Sequence, residues 1–501
     1  MFDALFTTTT EYKKLSHALS GKGACALFGL PASGRAQVYA ALCRQLDKPL
    51  CIVTPGEAEA TRFAADLNTL GIPAAVFPAR DYVLRPIEGT AREYEYRRLA
   101  VLGELVGGRL RAVAVPAEAL TQFTTPKEDF CANTRTLHAG DTLLRDDLLA
   151  ALFGAGYTRR AQVDGPGQFS VRGDIVDIFA PDQKMPVRME FWGDEIDTLH
   201  TFDLTTQRRE DAIDKFYLSP AREVLFGKPA DAAEQLRAFL AKQRGKKKTA
   251  MADCMAADLD LLDGGAVPVN MDKYLAVRYP HPATVLDYFD DPILVAEEPA
   301  SIREADRATA YRRGEELKSL ILDGVLCAGL DNLYADPSYL WSKTGHYRTI
   351  CAENFARSMP DQPLKDIINT PAHALPAWNG EVAGLLEDLK PLCDAGYTVT
   401  LLAGTDRAAA GLARALRDKG ILVTTDAAAA PAAGLVQVLA GHLSAGCEFP
   451  FAKYALLTGR AFGETSSQKK KRKKAKDALN SLTELVEQVD AMEDVKEMAL
   501  A

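Results

Sequence analysis

GLPASGRA, residues 29–36, follows the apolar run ACALFGL (24–30) and leads into AQVYAALCRQL (36–46), whose apolar spacing is helical. Strand, glycine turn and helix in that order are the frame of a phosphate-binding loop. Gly29 and Gly34 keep the spacing of the two loop glycines, but the lysine and hydroxyl positions hold Arg35 and Ala36. A planar guanidinium does not replace a compact ammonium without changing the geometry, and alanine removes the Mg²⁺ ligand. Pro31 also lacks an N–H to offer an anion. The expectation is a phosphate-loop scaffold retained as a structural turn, with weak anion binding and ATP hydrolysis as the alternatives.

The flanking sequence extends this frame. PLCIVTP (49–55), AAVFP (74–78) and LRAVAVPAEAL (110–120) read as strands, and EAEATRFAADLNTLG (57–71) and REYEYRRLAVLGELVGG (92–108) as helices. Their alternation predicts an α/β fold, a mostly parallel sheet covered by helices. PILVAEEP (292–299) resembles a strand ending in catalytic acids, with Glu297 and Glu298 at its end. Without a loop to hold phosphate, the preferred reading is surface acids at a strand terminus.

The texture changes near residue 125. DDLLAALFGAGY (146–157) is helical, whereas GQFSVRGDIVDIFAP (167–181) and PVRMEFWGDEIDTLHTFD (186–203) read as antiparallel hairpins of an inserted α+β module. Taken as one run, VRGDIVDIF puts Val171, Gly173, Ile175, Asp177 and Phe179 on one face and Arg172, Asp174, Val176 and Ile178 on the other. Neither face is cleanly polar. The acids Asp174, Asp177, Glu190, Asp194 and Glu195 raise the possibility of a metal site, but no histidine supports them. Arginine beside apolar strand residues also suits a protein interface.

Helices return from about 214, including READRATAYRRGEELKSLIL (303–322), and a second α/β unit is expected from about 350. The expected divisions are 1–125 and 214–345 for the two halves of the first domain, 126–213 for the insert, 350–463 for the small α/β domain, and 464–501 for a basic linker and polar tail. The basic run Lys469, Lys470, Lys471, Arg472, Lys473, Lys474 and Lys476 has no interleaved aromatics, which favours a solvated linker over a DNA contact.

The 501 residues carry a formal charge of −9, too acidic for a uniformly basic nucleic-acid-binding surface. The nine cysteines form no CxxC pair and the histidines show no metal-ligand spacing, so no metal is expected. The sequence shows no signal peptide and no apolar run of membrane-spanning length. A soluble, cytoplasmic, monomeric protein without membrane contact is expected.

FSVRGDIVDIFAP and VRMEFWGDEIDTLHTFD resemble the second domain shared by the repair protein UvrB and the bacterial transcription-repair coupling factors. GLPASGRA resembles the degenerate loop of the coupling factors, whereas UvrB keeps the lysine and threonine. Residues 378–421 and 441–464 resemble the coupling factors' third domain, which UvrB lacks. The resemblance implies a degenerate RecA-like domain with the UvrB-like module inserted, then a small α/β domain. It also implies recruitment of UvrA, with Arg159, Arg172 and Phe179 as candidate contacts. In the whole family protein, ATP, Mg²⁺, RNA polymerase and double-stranded DNA belong to further domains that drive ATP-dependent translocation. This sequence is therefore expected to be a non-catalytic amino-terminal part with no cofactor of its own. Whether it is an enzyme is left open.

Overall fold

The computed structural model describes residues 5, 7–87, 92–355, 362–378 and 382–459. Two compact units divide the chain, one running from Phe2 to Pro371 and the other from Ala372 onward.

The first unit is organised by a seven-stranded sheet in the order Leu364–Asn369, Gly23–Phe28, Arg348–Glu353, Ile293–Glu297, Leu50–Thr54, Ala112–Pro116, Ala74–Val76. Every neighbouring pair is parallel. The inner strands Leu50–Thr54, Ala112–Pro116 and Ile293–Glu297 are buried along their whole length. A parallel sheet covered on both faces requires this, and it explains why these strands read as continuous apolar runs. Arg348–Glu353 and Leu364–Asn369 complete this sheet. The small α/β unit therefore begins at Ala372 instead of 350.

The insert folds as a six-stranded sheet in the order Arg209–Ala212, Glu195–Phe202, Val187–Trp192, Ile175–Phe179, Gln168–Arg172, Thr158–Arg159. Its pairs are antiparallel except for the two-residue edge strand Thr158–Arg159. The helix Arg145–Gly154 supplies Leu148 and Leu152 to a core shared with Phe169, Val176, Ile178, Met189 and Phe191. Arg135–His138 pairs antiparallel with Lys215–Leu218, so the insert extends past the expected end at 213.

Buried ion pairs join the root of the insert to the first domain. Arg98 Nε donates to Glu223 Oε1 at 2.6 Å, and Arg80 makes a forked pair with Asp272 at 2.7 and 3.0 Å. Gln122 Oε1 accepts from both the Arg80 backbone and Arg98, tying the two arginines together. Glu95 accepts from the Glu223 backbone N–H at 3.0 Å and pairs with Arg92. Beyond this root, the helices Pro229–Ala241 and Gly245–Asp263 lead back to the sheet strand Ile293–Glu297, and the helix Pro299–Leu322 follows it.

The second unit has six strands in the order His373–Leu375, Gly446–Phe449, Tyr454–Thr458, Thr398–Leu402, Val436–Leu439, Val423–Thr424. The helices Val382–Asp394 and Asp406–Asp418 supply Leu385, Leu389, Leu412 and Leu416 to its core. No described helix is long and apolar enough to cross a membrane. The basic run 469–476 lies outside the described residues.

Candidate partner-binding face and a closed phosphate loop

Only Gly29, Leu30 and Pro31 connect the strand Gly23–Phe28 to the helix Ala32–Leu46. Gly29 has φ +85°, and a Cβ there would lie 2.8 Å from Asn369 Oδ1, so the tight entry requires glycine. Gly34 and Ala36 already belong to the helix. A working phosphate loop holds its backbone N–H groups open between the two glycines; here that stretch is wound into the first helical turn.

Arg35 is 2% exposed and points back into the protein. Its Nη2 lies 2.9 Å from Glu297 and 3.0 Å from Glu298, and its Nη1 donates to the Leu30 carbonyl at 3.2 Å and to Asn354 Oδ1 at 3.3 Å. Tyr39 donates its hydroxyl to Glu297 at 2.5 Å. Burial pushes the Glu297 carboxyl above its ordinary range, while the Arg35 charge and the Tyr39 hydroxyl pull it part of the way back. Glu297, read from sequence as a surface acid, is instead the buried counter-ion of the residue at the lysine position. The groups that would serve phosphate and Mg²⁺ in an active loop are instead paired with each other.

In the insert, VRGDIVDIF is two strands instead of one. Gly173, with φ +60°, and Asp174 form a two-residue hairpin turn between Gln168–Arg172 and Ile175–Phe179. Glycine at the first turn position supplies the positive φ that such a turn requires. The turn changes the side-chain parity, so Arg172 falls opposite Ile175 and shares a face with Asp177.

That face, turned away from the core, carries a three-residue ion cluster. Asp177 is fully buried and accepts from Arg172 Nη2 at 2.7 Å, from Arg188 Nε at 2.7 Å and from Arg188 Nη2 at 2.9 Å. Arg188 also lies over the Phe202 ring at 4.8 Å and donates to the Gln207 carbonyl at 3.2 Å. Arg172, with its side chain 49% exposed, is thus fixed at one end and open to solvent along the rest. Asp177, weighed from sequence as a metal ligand, has its oxygens taken by the two arginines.

The three contact candidates do not converge. Phe179 is 6% exposed and packs with Val163 and Phe202 at the far end of the same face. It supports the face from beneath and is not an exposed anchor. Arg159 is exposed on the edge strand, in register with the core residue Phe169, which puts it on the other side of the sheet from Arg172. There it lines a cleft of 1090 Å³ together with Arg160, Tyr96 and Arg222. Sequence reading missed Arg188. In VRMEFW, the buried positions Val187, Met189 and Phe191 alternate with Arg188, Glu190 and Trp192, and that period-two pattern marks Arg188 as an outer-face residue.

The UvrB interaction domain family matches residues 136–224, which contain this sheet and, apart from Arg135, the paired strands Arg135–His138 and Lys215–Leu218. The transcription-repair-coupling factor of Bacillus subtilis (strain 168) is 25% identical over 456 residues, covering 89% of this chain and 38% of that protein. The corresponding protein of Staphylococcus haemolyticus (strain JCSC1435) is 25% identical over 456 residues, and that of Staphylococcus aureus (strain MRSA252) 23% identical over 452. Each match covers 88% of this chain and 38% of the relative. With its parallel phosphate-loop-type sheet and its inserted UvrB interaction domain, the chain is homologous to the bacterial transcription-repair coupling factors and spans 38% of the length of these relatives.

Proposed function

We propose that this chain is a non-catalytic recruiting part of a coupling factor, which binds UvrA through the outer face of its inserted sheet and so brings nucleotide excision repair to stalled transcription. The observation that carries this reading is Arg172. It is a half-exposed guanidinium, held from behind by the buried Asp177, on a domain that matches the UvrB interaction family. A guanidinium already oriented in this way loses little rotamer entropy on meeting a carboxylate and can form charge-assisted hydrogen bonds to it. Arg159, exposed at the sheet edge on the opposite side from Arg172, is a candidate contact only for a partner that also reaches around that edge, and Phe179 maintains the outer face from within.

ATP-driven translocation, and contact with RNA polymerase and duplex DNA, are assigned to a whole coupling factor and not to the residues described. The engagement of Arg35 by Glu297 and Glu298 supports a scaffolding role for the parallel-sheet domain. The test is calorimetric titration of UvrA into the wild-type chain and into R172A. The expected result is a loss of about tenfold or more in affinity, in the range of a hot-spot residue, with an unchanged melting temperature. Equal affinity in a folded R172A chain overturns the assignment.

A further inference from the structure

Trp192 ends the strand Val187–Trp192 and is 82% exposed. The pleat sends it to the same face as Arg188 and Glu190, the face that carries Arg172 and Asp177. Strand geometry needs an outward-facing residue here but not an aromatic one. Burying an indole removes about 150–250 Å² of largely apolar surface from water. Tryptophan is also among the residue types most enriched where truncation abolishes binding.

The surroundings of the indole indicate what it fits. Glu195 lies directly across the hairpin from Trp192, and Asp194 is in the connecting turn; both are exposed. The Asp174 backbone carbonyl accepts from the Phe191 N–H at 2.9 Å, while the Asp174 carboxylate already faces a cation, Arg145 on the helix of the core face, at 3.6 Å. The indole thus projects beside two exposed acids, Asp194 and Glu195, with Arg172 on the neighbouring hairpin. A complementary surface offers an apolar pocket for the ring, bordered by arginine or lysine that meets Asp194 and Glu195 and lies against the indole face.

We propose that Trp192 is the apolar anchor of the partner-binding face and inserts into a cation-bordered apolar pocket on the partner protein. Arg172 then supplies orientation at the side of the contact, and Trp192 supplies the desolvated centre that slows dissociation. The proposal rests on the UvrA reading above and adds to it a residue and a pocket chemistry.

The test is UvrA affinity of the full chain carrying W192A, W192F or the charge reversal D194K/E195K, with R172A measured in parallel. W192A is expected to lose about tenfold or more, W192F less, and D194K/E195K to weaken binding at low salt more than at high salt. Because Trp192 is exposed, its truncation leaves the melting temperature unchanged, so an affinity loss reports the contact and not the fold. If wild-type chain binds UvrA and R172A weakens it while W192A does not, the anchor is overturned and the UvrA reading stands. If wild-type chain shows no UvrA binding, both fall.

Discussion

Arg35 lies 2.9 Å from Glu297, with both side chains 2% exposed. The positions that would hold a phosphate and its metal thus neutralise each other inside the first domain. A buried pair of this kind contributes little net stability, yet breaking it leaves an uncompensated charge in a low-dielectric interior. R35A should therefore destabilise the chain by about 3–5 kcal/mol, whereas the double replacement R35M/E297M recovers most of the loss. Denaturant unfolding of the two variants checks this. A mild effect of R35A alone would mean that the pair is solvated.

Restoring the motif letters should not restore the site. In R35K/A36T the lysine still faces Glu297, and the stretch containing Gly34 is still the first turn of the helix Ala32–Leu46. Mg²⁺-ATP is expected to leave the melting temperature of this variant unmoved. A ligand-dependent rise, which grows with concentration for any binder of the folded state, would show that sequence alone closes the loop.

The strand-turn-helix order around residue 29 was legible because buried parallel strands must be continuously apolar and the turn must carry glycine. Other features depended on partners distant in sequence. Glu297 looked like a surface acid because Arg35, 262 positions earlier, is invisible to any local pattern. Counted as continuous strand, VRGDIVDIF puts Arg172 opposite Asp177 in parity, whereas a Gly-Asp pair flanked by alternating apolar residues is itself a hairpin signal that brings the two onto one face. The boundary near 350 failed for a related reason. The strands Arg348–Glu353 and Leu364–Asn369 have the composition of a new α/β unit, and only pairing with Gly23–Phe28 assigns them to the old one.

Asp177 should act on binding through Arg172. D177N keeps the shape of the side chain but removes the charge that holds Arg172 and Arg188, leaving two guanidinium groups facing each other across the strands. The expected outcome is a loss of UvrA affinity in the same direction as R172A, accompanied by lower stability of about 1–3 kcal/mol. In the R172A background, D177N should weaken binding little further. Calorimetry on the four members of this cycle gives the coupling, and additive losses would remove the positioning role.

Glu95 sets an acid limit on the root of the insert. Burial alone would raise its carboxyl, but Arg80, Arg222 and Arg92 and the Glu223 backbone N–H outweigh it and hold the group at about 2 against an ordinary 4.5. A depressed carboxyl binds its proton more weakly in the folded state, so its contribution is complete above pH 4.5 and is lost as pH falls toward 2. The stability gap between wild type and E95Q should be widest near neutrality and shrink across that window. A gap independent of pH would assign the role of Glu95 to shape alone.

Asp306 carries the opposite sign. It is buried on the helix Pro299–Leu322, and burial pushes its carboxyl up to about 6, with the Arg313 charge opposing. The folded state therefore favours the neutral acid, and ionisation costs stability progressively as pH rises from 3.8 through 6. D306N removes that cost while keeping the side chain's size and hydrogen-bonding capacity. It should raise the melting temperature at pH 8 and leave it nearly unchanged at pH 3.5, where the carboxyl is protonated in both states. Thermal unfolding at the two pH values decides the matter: an equal shift at both would trace the effect to packing, and a fall at pH 8 would mean that the ionised carboxylate serves the fold.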